Sequence, residues 1–183
     1  MTTRHLVDAH VLLIRDGRLL LSKRRGADEF DGRWHLPAGK VEVGESAPPA
    51  AAVREANEEI GVHIDPADLR HVHTAHVIGS GHEPRLGLFF EVRTWRGEPA
   101  NREPDKCYEL RWFPLDDLPA DIIAYPTAGI SALSTGATYS ERGWNAEAKN
   151  LSARLGLSET GAAIELDPAA APDHPGSAAF DEM

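Results

Sequence analysis

A chain of 183 residues, 42% of them hydrophobic and 26% charged, has the length of one domain with a short appendage and enough apolar surface to bury its own core. Its 19 Lys and Arg against 29 Asp and Glu give a formal net charge of −10, which excludes a general basic surface for duplex nucleic acid or an anionic membrane. A single cysteine, Cys107, excludes an intrachain disulfide and a cysteine-rich zinc site.

At the start of the chain the apolar run Val11 to Ile14 is interrupted by Asp8, His10 and Arg15, which suits neither a signal peptide nor a membrane span and gives a cytoplasmic reading. Leu6 to Ile14 and Leu19 to Ser22 are rich in Val, Leu and Ile, with Asp16-Gly17 between them where a type I′ turn wants such residues, so a β-hairpin is expected. Arg24 to Pro37 is polar and glycine-punctuated, a surface loop returning to a short strand, and Lys40 to Val43 reads as another short extended piece. Ser46 as a cap, Pro48-Pro49 in the first turn and Gly61 beyond Ile60 mark one strong helix.

Further on, Leu69 to Ile78 and Gly87 to Thr94 read as strands around a turn at Gly79 to Pro84. Glu98 to Lys106 reads as a loop, Leu110 to Pro114 as a short strand, and Leu115 to Pro119 as the start of a helix. Asn145 to Leu155 has helical spacing, and the Ala, Pro and Asp-rich stretch 167–183 reads as disordered. The fold class is α+β: residues 1–133 form one domain, 134–166 a helical extension and 167–183 a tail.

On the strong helix Glu55, Glu58 and Glu59 stand at i, i+3 and i+4, so their carboxylates share a face within about a turn and a half. Like charges at that spacing, near a helix C-terminus, oppose folding unless a cation sits among them. Mg²⁺ or Mn²⁺ suits such oxygen ligands. Arg54, four residues before Glu58, can pair with it and orient the cluster.

The stretch from Gly39 to Val62 resembles the Nudix box, G-x5-E-x7-R-E-u-x-E-E-x-G-u with u apolar. It matches at Gly39, Glu45, Arg54, Glu55, Glu58, Glu59 and Gly61, and at the apolar places Ala56 and Val62. One departure stands out: eight residues separate Glu45 from Arg54, an extra residue that the lead-in at Ala47 to Ala50 can absorb. Inside the helix it would have rotated the glutamates by about 100°. Ala38 also stands where a second glycine is common.

The resemblance, over Leu6 to Leu133, implies an α/β/α sandwich around a mixed sheet and hydrolysis of a nucleoside diphosphate linked to another moiety. It implies Glu55, Glu58 and Glu59 as metal ligands with the Gly39 carbonyl, and Glu45 with Arg54 as an orienting pair. Gly97 to Glu103 resembles the MutT-type loop whose glutamate takes a proton from water, which points to Glu103; Glu109 and Glu58 are the competitors. Arg24, with Lys23, stands where MutT relatives carry a basic pair, and Lys40 follows Gly39; both Arg24 and Lys40 are expected to meet phosphates. Asp116 to Asp121 resembles the region in which an asparagine reads the base, with Asp121 nearest; an ionised carboxylate cannot donate as an amide does.

The resemblance therefore implies a Mg²⁺-dependent pyrophosphohydrolase, with Mn²⁺ as a substitute, that converts a nucleoside triphosphate to monophosphate and pyrophosphate. An ADP-ribose or dinucleoside-polyphosphate hydrolase and a non-catalytic nucleotide-binding module are the alternatives. Nudix proteins form homodimers in several ways, and nothing in this sequence chooses among them. Trp34, Phe89, Trp112 and Phe113 are candidates either for base stacking or for the core. His71 and His73, two residues apart on one strand, raise a zinc reading that lacks a third ligand.

Overall fold

The computed structural model describes residues 4–45, 47–78 and 83–144. Strand β1 (Leu6–Arg15) and β2 (Arg18–Arg24) are joined through Asp16 and Gly17, whose φ angles of 51° and 71° are both positive, as a type I′ turn requires. The hairpin ladder is short, pairing Ile14 with Leu19 and Arg15 with Arg18. The first half of β1 turns to other partners: antiparallel β4 (Ala38–Lys40) across Asp8 to His10, and parallel β6 (Arg85–Val92) along Leu6 to Leu13. Covered by a core on each face, β1 is buried from Asp8 to Ile14, which explains a nearly continuous apolar run in place of alternation.

The sheet runs β3 (Trp34–His35), β2, β1, β6, β5 (Arg70–Val77), β8 (Tyr139–Arg142), with β4 on β1 and β7 (Cys107–Pro114) on β2. Helices α1 (Pro48–Ile60) and α2 (Thr127–Thr135) belong to two separate cores. Ala51, Ala52, Ala56 and Ile60 of α1 meet Val11, Leu13, Leu20 and Phe90. Ile130 of α2 meets Leu12, Ile14, Leu19, Leu21 and Phe89. The period-two alternation of strand side chains assigns neighbouring residues of β1 to opposite cores. This is the expected α+β sandwich around a mixed sheet. Trp34 and Phe89 are buried in it, and Trp112 and Phe113 pack against it, so all four aromatic residues serve the core.

Helix α1 starts after Ala47, in extended conformation and without a side-chain cap; the expected cap, Ser46, lies outside the described residues. Gly61 ends it at φ 70°, its N–H directed at the Ala56 and Asn57 carbonyls, the left-handed termination that glycine permits. Two expectations need correction. The short strand is Ala38–Lys40 rather than Lys40 to Val43, because pairing with β1 covers only that far. Leu115 to Pro119 is a turn closed by the Asp117 N–H on the Pro114 carbonyl at 3.1 Å, and the helix begins only after Pro126. Beyond it, β8 adds a parallel strand to β5. The expected helix at Asn145 to Leu155 and the tail 167–183 lie outside the described residues.

His73 is 1% exposed; its Nδ1–H donates to the Ala137 carbonyl at 2.7 Å and its Nε2 accepts from the Ser140 hydroxyl at 2.7 Å. It thereby fastens β8, while His71 is exposed and turned to Thr74, so among the described residues the two rings share no metal-ligating cluster.

His10, 2% exposed, stacks on Phe89 at 4.4 Å and meets the edge of Tyr125 at 5.0 Å, with no hydrogen-bond partner for either ring nitrogen among the described residues. Burial holds its pKa well below the ordinary histidine value and that of His35 at about 4. Both folded values lie below the unfolded one, so the unfolded chain takes up protons first as the pH falls. Stability is then lost from about pH 6.5 downward. The urea midpoint is expected to drop between pH 7.5 and 5.5, and to drop less in His10→Leu. Equal drops in the two proteins would locate the acid sensitivity elsewhere.

Candidate active site

The surface of α1 near its C-terminus is organised by Arg54. Its Nε donates to Glu45 at 2.8 Å, its Nη1 to Glu55 at 2.7 Å and Glu58 at 2.9 Å, and its Nη2 to the Lys40 carbonyl at 3.0 Å. The other Glu45 oxygen accepts the Glu42 N–H at 2.7 Å. These hydrogen bonds hold the Glu45 carboxyl below its usual range and the Arg54 guanidinium above its own. The extra residue between Glu45 and Arg54 is taken up before the helix, since Glu45 and Arg54 still meet.

Glu59 points elsewhere. Its Oε2 accepts the Ala38 N–H at 3.0 Å, and it lines a cavity of about 100 Å³ with Arg24, His35, Glu103, Lys106 and Cys107. Burial pushes its carboxyl up to about 8, with Glu55 and Glu103 adding to the rise. Glu55 is also raised, first by burial and then by Glu58 and Glu103. A Cβ at Gly39 would run into the Glu55 carboxylate, so backbone and carboxylate meet there because the residue is glycine.

Among the described residues no three His, Cys, Asp or Glu groups converge at metal-ligating spacing. Arg54 draws Glu55 and Glu58 toward Glu45, and Glu59 faces the cavity. The donor set nevertheless fits a hard divalent cation. It offers carboxylate oxygens beside a close backbone, in a region where burial and then neighbouring negative charge raise two carboxyl groups.

Glu103 shares the Glu59 cavity; its carboxylate accepts from Lys106 at 2.7 Å and its N–H donates to Asn101 at 3.0 Å. Glu109 lies on β7 instead, between Lys23 at 3.8 Å and Arg111 at 2.8 Å. Arg24, paired with Asp28 at 2.6 Å, stands in the wall of this cavity and of a second one of about 580 Å³. Lys40 is exposed and contributes its carbonyl to Arg54. Asp121 is exposed and lines neither cavity; its carbonyl accepts the Trp34 N–H at 3.3 Å.

Sequence reasoning missed the second cavity's polar residues, His35, Arg85 and Tyr125. Arg85 donates to Asp8 Oδ2 at 2.8 Å, and the Tyr125 hydroxyl donates to the same oxygen at 3.3 Å. The available signal was Asp8, a carboxylate inside a strand otherwise bound for the core. Cys107 also stands in the small cavity's wall, where burial raises its pKa.

With this geometry in view, the NUDIX domain model matches residues 3–131. The chain belongs to the NUDIX family. It is 42% identical over 119 residues to "Putative 8-oxo-dGTP diphosphatase 2" of Mycobacterium tuberculosis, a match covering 57% of this chain and 77% of that protein. It is 31% identical over 115 residues to "Putative nudix hydrolase 1" of Caenorhabditis elegans, covering 62% of this chain but 27% of the relative. Among solved structures it resembles a MutT NUDIX hydrolase from Burkholderia pseudomallei, with a TM-score of 0.65 and 31% identity, covering 71% of this chain and 98% of that one. The NUDIX protein is thus a pyrophosphohydrolase. Among its described residues no helix is long and apolar enough to cross a membrane.

Proposed function

We propose that the protein cleaves a nucleoside triphosphate, normal or oxidised, to the monophosphate and pyrophosphate with Mg²⁺, for which Mn²⁺ can substitute. The carrying observation is the pair of cavities that share Arg24 and His35 as a common wall. One holds Glu59 and Glu103; the other, about 580 Å³, is of a size that accommodates a small-molecule ligand. The printed name of the M. tuberculosis relative, an 8-oxo-dGTP diphosphatase, supports a nucleotide substrate.

In this reading Glu55, Glu58 and Glu59 hold the cation with the Gly39 carbonyl, and Arg54 with Glu45 sets the carboxylates' positions. The bound cation would neutralise the pyrophosphate and acidify a water molecule. Glu103 takes the proton as the water oxygen attacks phosphorus in line, and the electron pair of the broken P–O bond leaves on the bridging oxygen. Arg24 and Lys40 meet the phosphates.

A panel of canonical and oxidised NTPs and dNTPs, ADP-ribose and diadenosine tetraphosphate, with Mg²⁺ or Mn²⁺ and scored by products, tests the proposal. Release of pyrophosphate from a triphosphate is expected. Preferential cleavage of ADP-ribose or the dinucleotide would replace it with the alternative hydrolase, and binding without turnover would make the protein a nucleotide-binding module. Glu103→Gln is expected to slow kcat by roughly 10²-fold or more with little change in KM. If Glu109→Gln is the crippled variant instead, the proton acceptor is misassigned.

A further inference from the structure

The larger cavity carries more information than its size. Arg85 is one of its polar wall residues, and that side chain is held in place: Asp8, 5% exposed, binds Arg85 at 2.8 Å and receives the Tyr125 hydroxyl at 3.3 Å on the same oxygen. Tyr125 reaches this position because residue 87 is glycine; a Cβ there would collide with the phenol oxygen. Asp8 itself does not line the cavity, whereas Arg85, Tyr125, His35 and Phe30 do. A buried carboxylate thus fixes two wall residues from behind.

Charge decides which half of a nucleotide belongs here. The cavity carries Asp28, Glu29 and Glu83, and each of its arginines already faces an acid, Arg24 with Asp28 and Arg85 with Asp8. On this side of Arg24 the acids disfavour phosphates, which are left to the small cavity that Arg24 also lines, while an uncharged base meets no such repulsion. Arg85 is a donor and nothing else. Two of its neighbours can accept: the His35 Nδ1–H is committed to the Leu36 carbonyl, leaving Nε2 as an acceptor, and the Tyr125 oxygen keeps a lone pair while its hydrogen goes to Asp8.

We propose that Arg85, fixed by Asp8, determines base specificity by donating to the exocyclic carbonyl of a nucleobase in this cavity, so that guanine nucleotides are selected and adenine nucleotides refused. A forked guanidinium matches the O6 and N7 acceptors of guanine, whereas adenine puts an amino donor where O6 would be. The acceptors on His35 and Tyr125 suit the remaining N–H groups of the same base. Arg85 is the specificity residue and Asp8 a positioning residue. The inference rests on the nucleotide-hydrolase reading and deepens it.

Calorimetric titration of the metal-free protein with GMP and AMP, beside kcat/KM for GTP and ATP with Mg²⁺, tests it. GMP is expected to bind about tenfold more tightly than AMP or better, with the same order in kcat/KM. Arg85→Lys keeps a cation against Asp8 but loses the fork; the GMP to AMP ratio is expected to fall toward one through weaker GMP binding. Asp8→Asn is expected to lower the same ratio and to raise KM for GTP more than it lowers kcat. Equal binding of the two monophosphates, binding of neither, or an unchanged ratio in Arg85→Lys would overturn the assignment. Selective GMP binding without turnover would remove the hydrolase reading and keep Arg85; turnover without base selectivity would do the reverse.

Discussion

Glu59→Gln is expected to reduce kcat by about a hundredfold or more while the protein remains folded. Glu59 is the box glutamate that faces the small cavity, and its carboxyl is pushed up to about 8 chiefly by burial. A buried acid with a raised pKa is a poor stabilising element, so a neutral amide of nearly the same shape should not weaken the fold. The side-chain oxygen of Gln can still accept the Ala38 N–H, which preserves the loop. What disappears is the negative charge available to a cation. Glu58→Gln is expected to act in the same direction, because it removes the negative charge of another glutamate proposed to hold the cation. Turnover at the wild-type rate in both variants, measured as pyrophosphate release with saturating Mg²⁺, would remove the metal-site argument.

Gly39→Ala is expected to lower activity on a comparable scale by a different route. The new methyl group would occupy the place of the Glu55 carboxylate. That carboxylate is the far end of a flexible side chain, so it can swing away and the sheet pairing of β4 with β1 can persist. A melting temperature close to wild type, with Mn²⁺ affinity weakened roughly ten- to hundredfold, is the expected pattern. Mn²⁺ titration followed by electron paramagnetic resonance reads the affinity directly. A variant that binds Mn²⁺ as the wild type does would show that Glu55 and the Gly39 backbone do not share a ligand.

Local chemistry accounts for the elements that the sequence discloses. Asp16-Gly17 is legible because a type I′ turn needs two positive φ angles, and α1 because Pro48, Pro49 and Gly61 bound it. The Arg54 to Glu58 spacing foretells one ion pair and the family resemblance a second, with Glu45, whereas the structure gives Arg54 three carboxylate partners. The third depends on the rotamer of Glu55. Helix α2 escapes notice because Thr127, Gly129, Ser131 and Thr135 are weak helix formers; packing of Ile130 against the core supports it. Strand β8 is similarly silent, since its pairing with β5 and the His73 contacts come from distant residues. Asp8 and Arg85 are brought together only by the parallel pairing of β1 and β6.

That parallel pairing also bears on synthesis. Leu6 aligns with Arg85 and Leu13 with Val92, so one edge of the most apolar strand has no mate until about eighty further residues have left the ribosome. The nascent chain must keep Val11 to Ile14 from associating with other chains throughout that interval, and yield of soluble protein should respond to translation speed and chaperone supply more than the stability of the finished sheet would suggest.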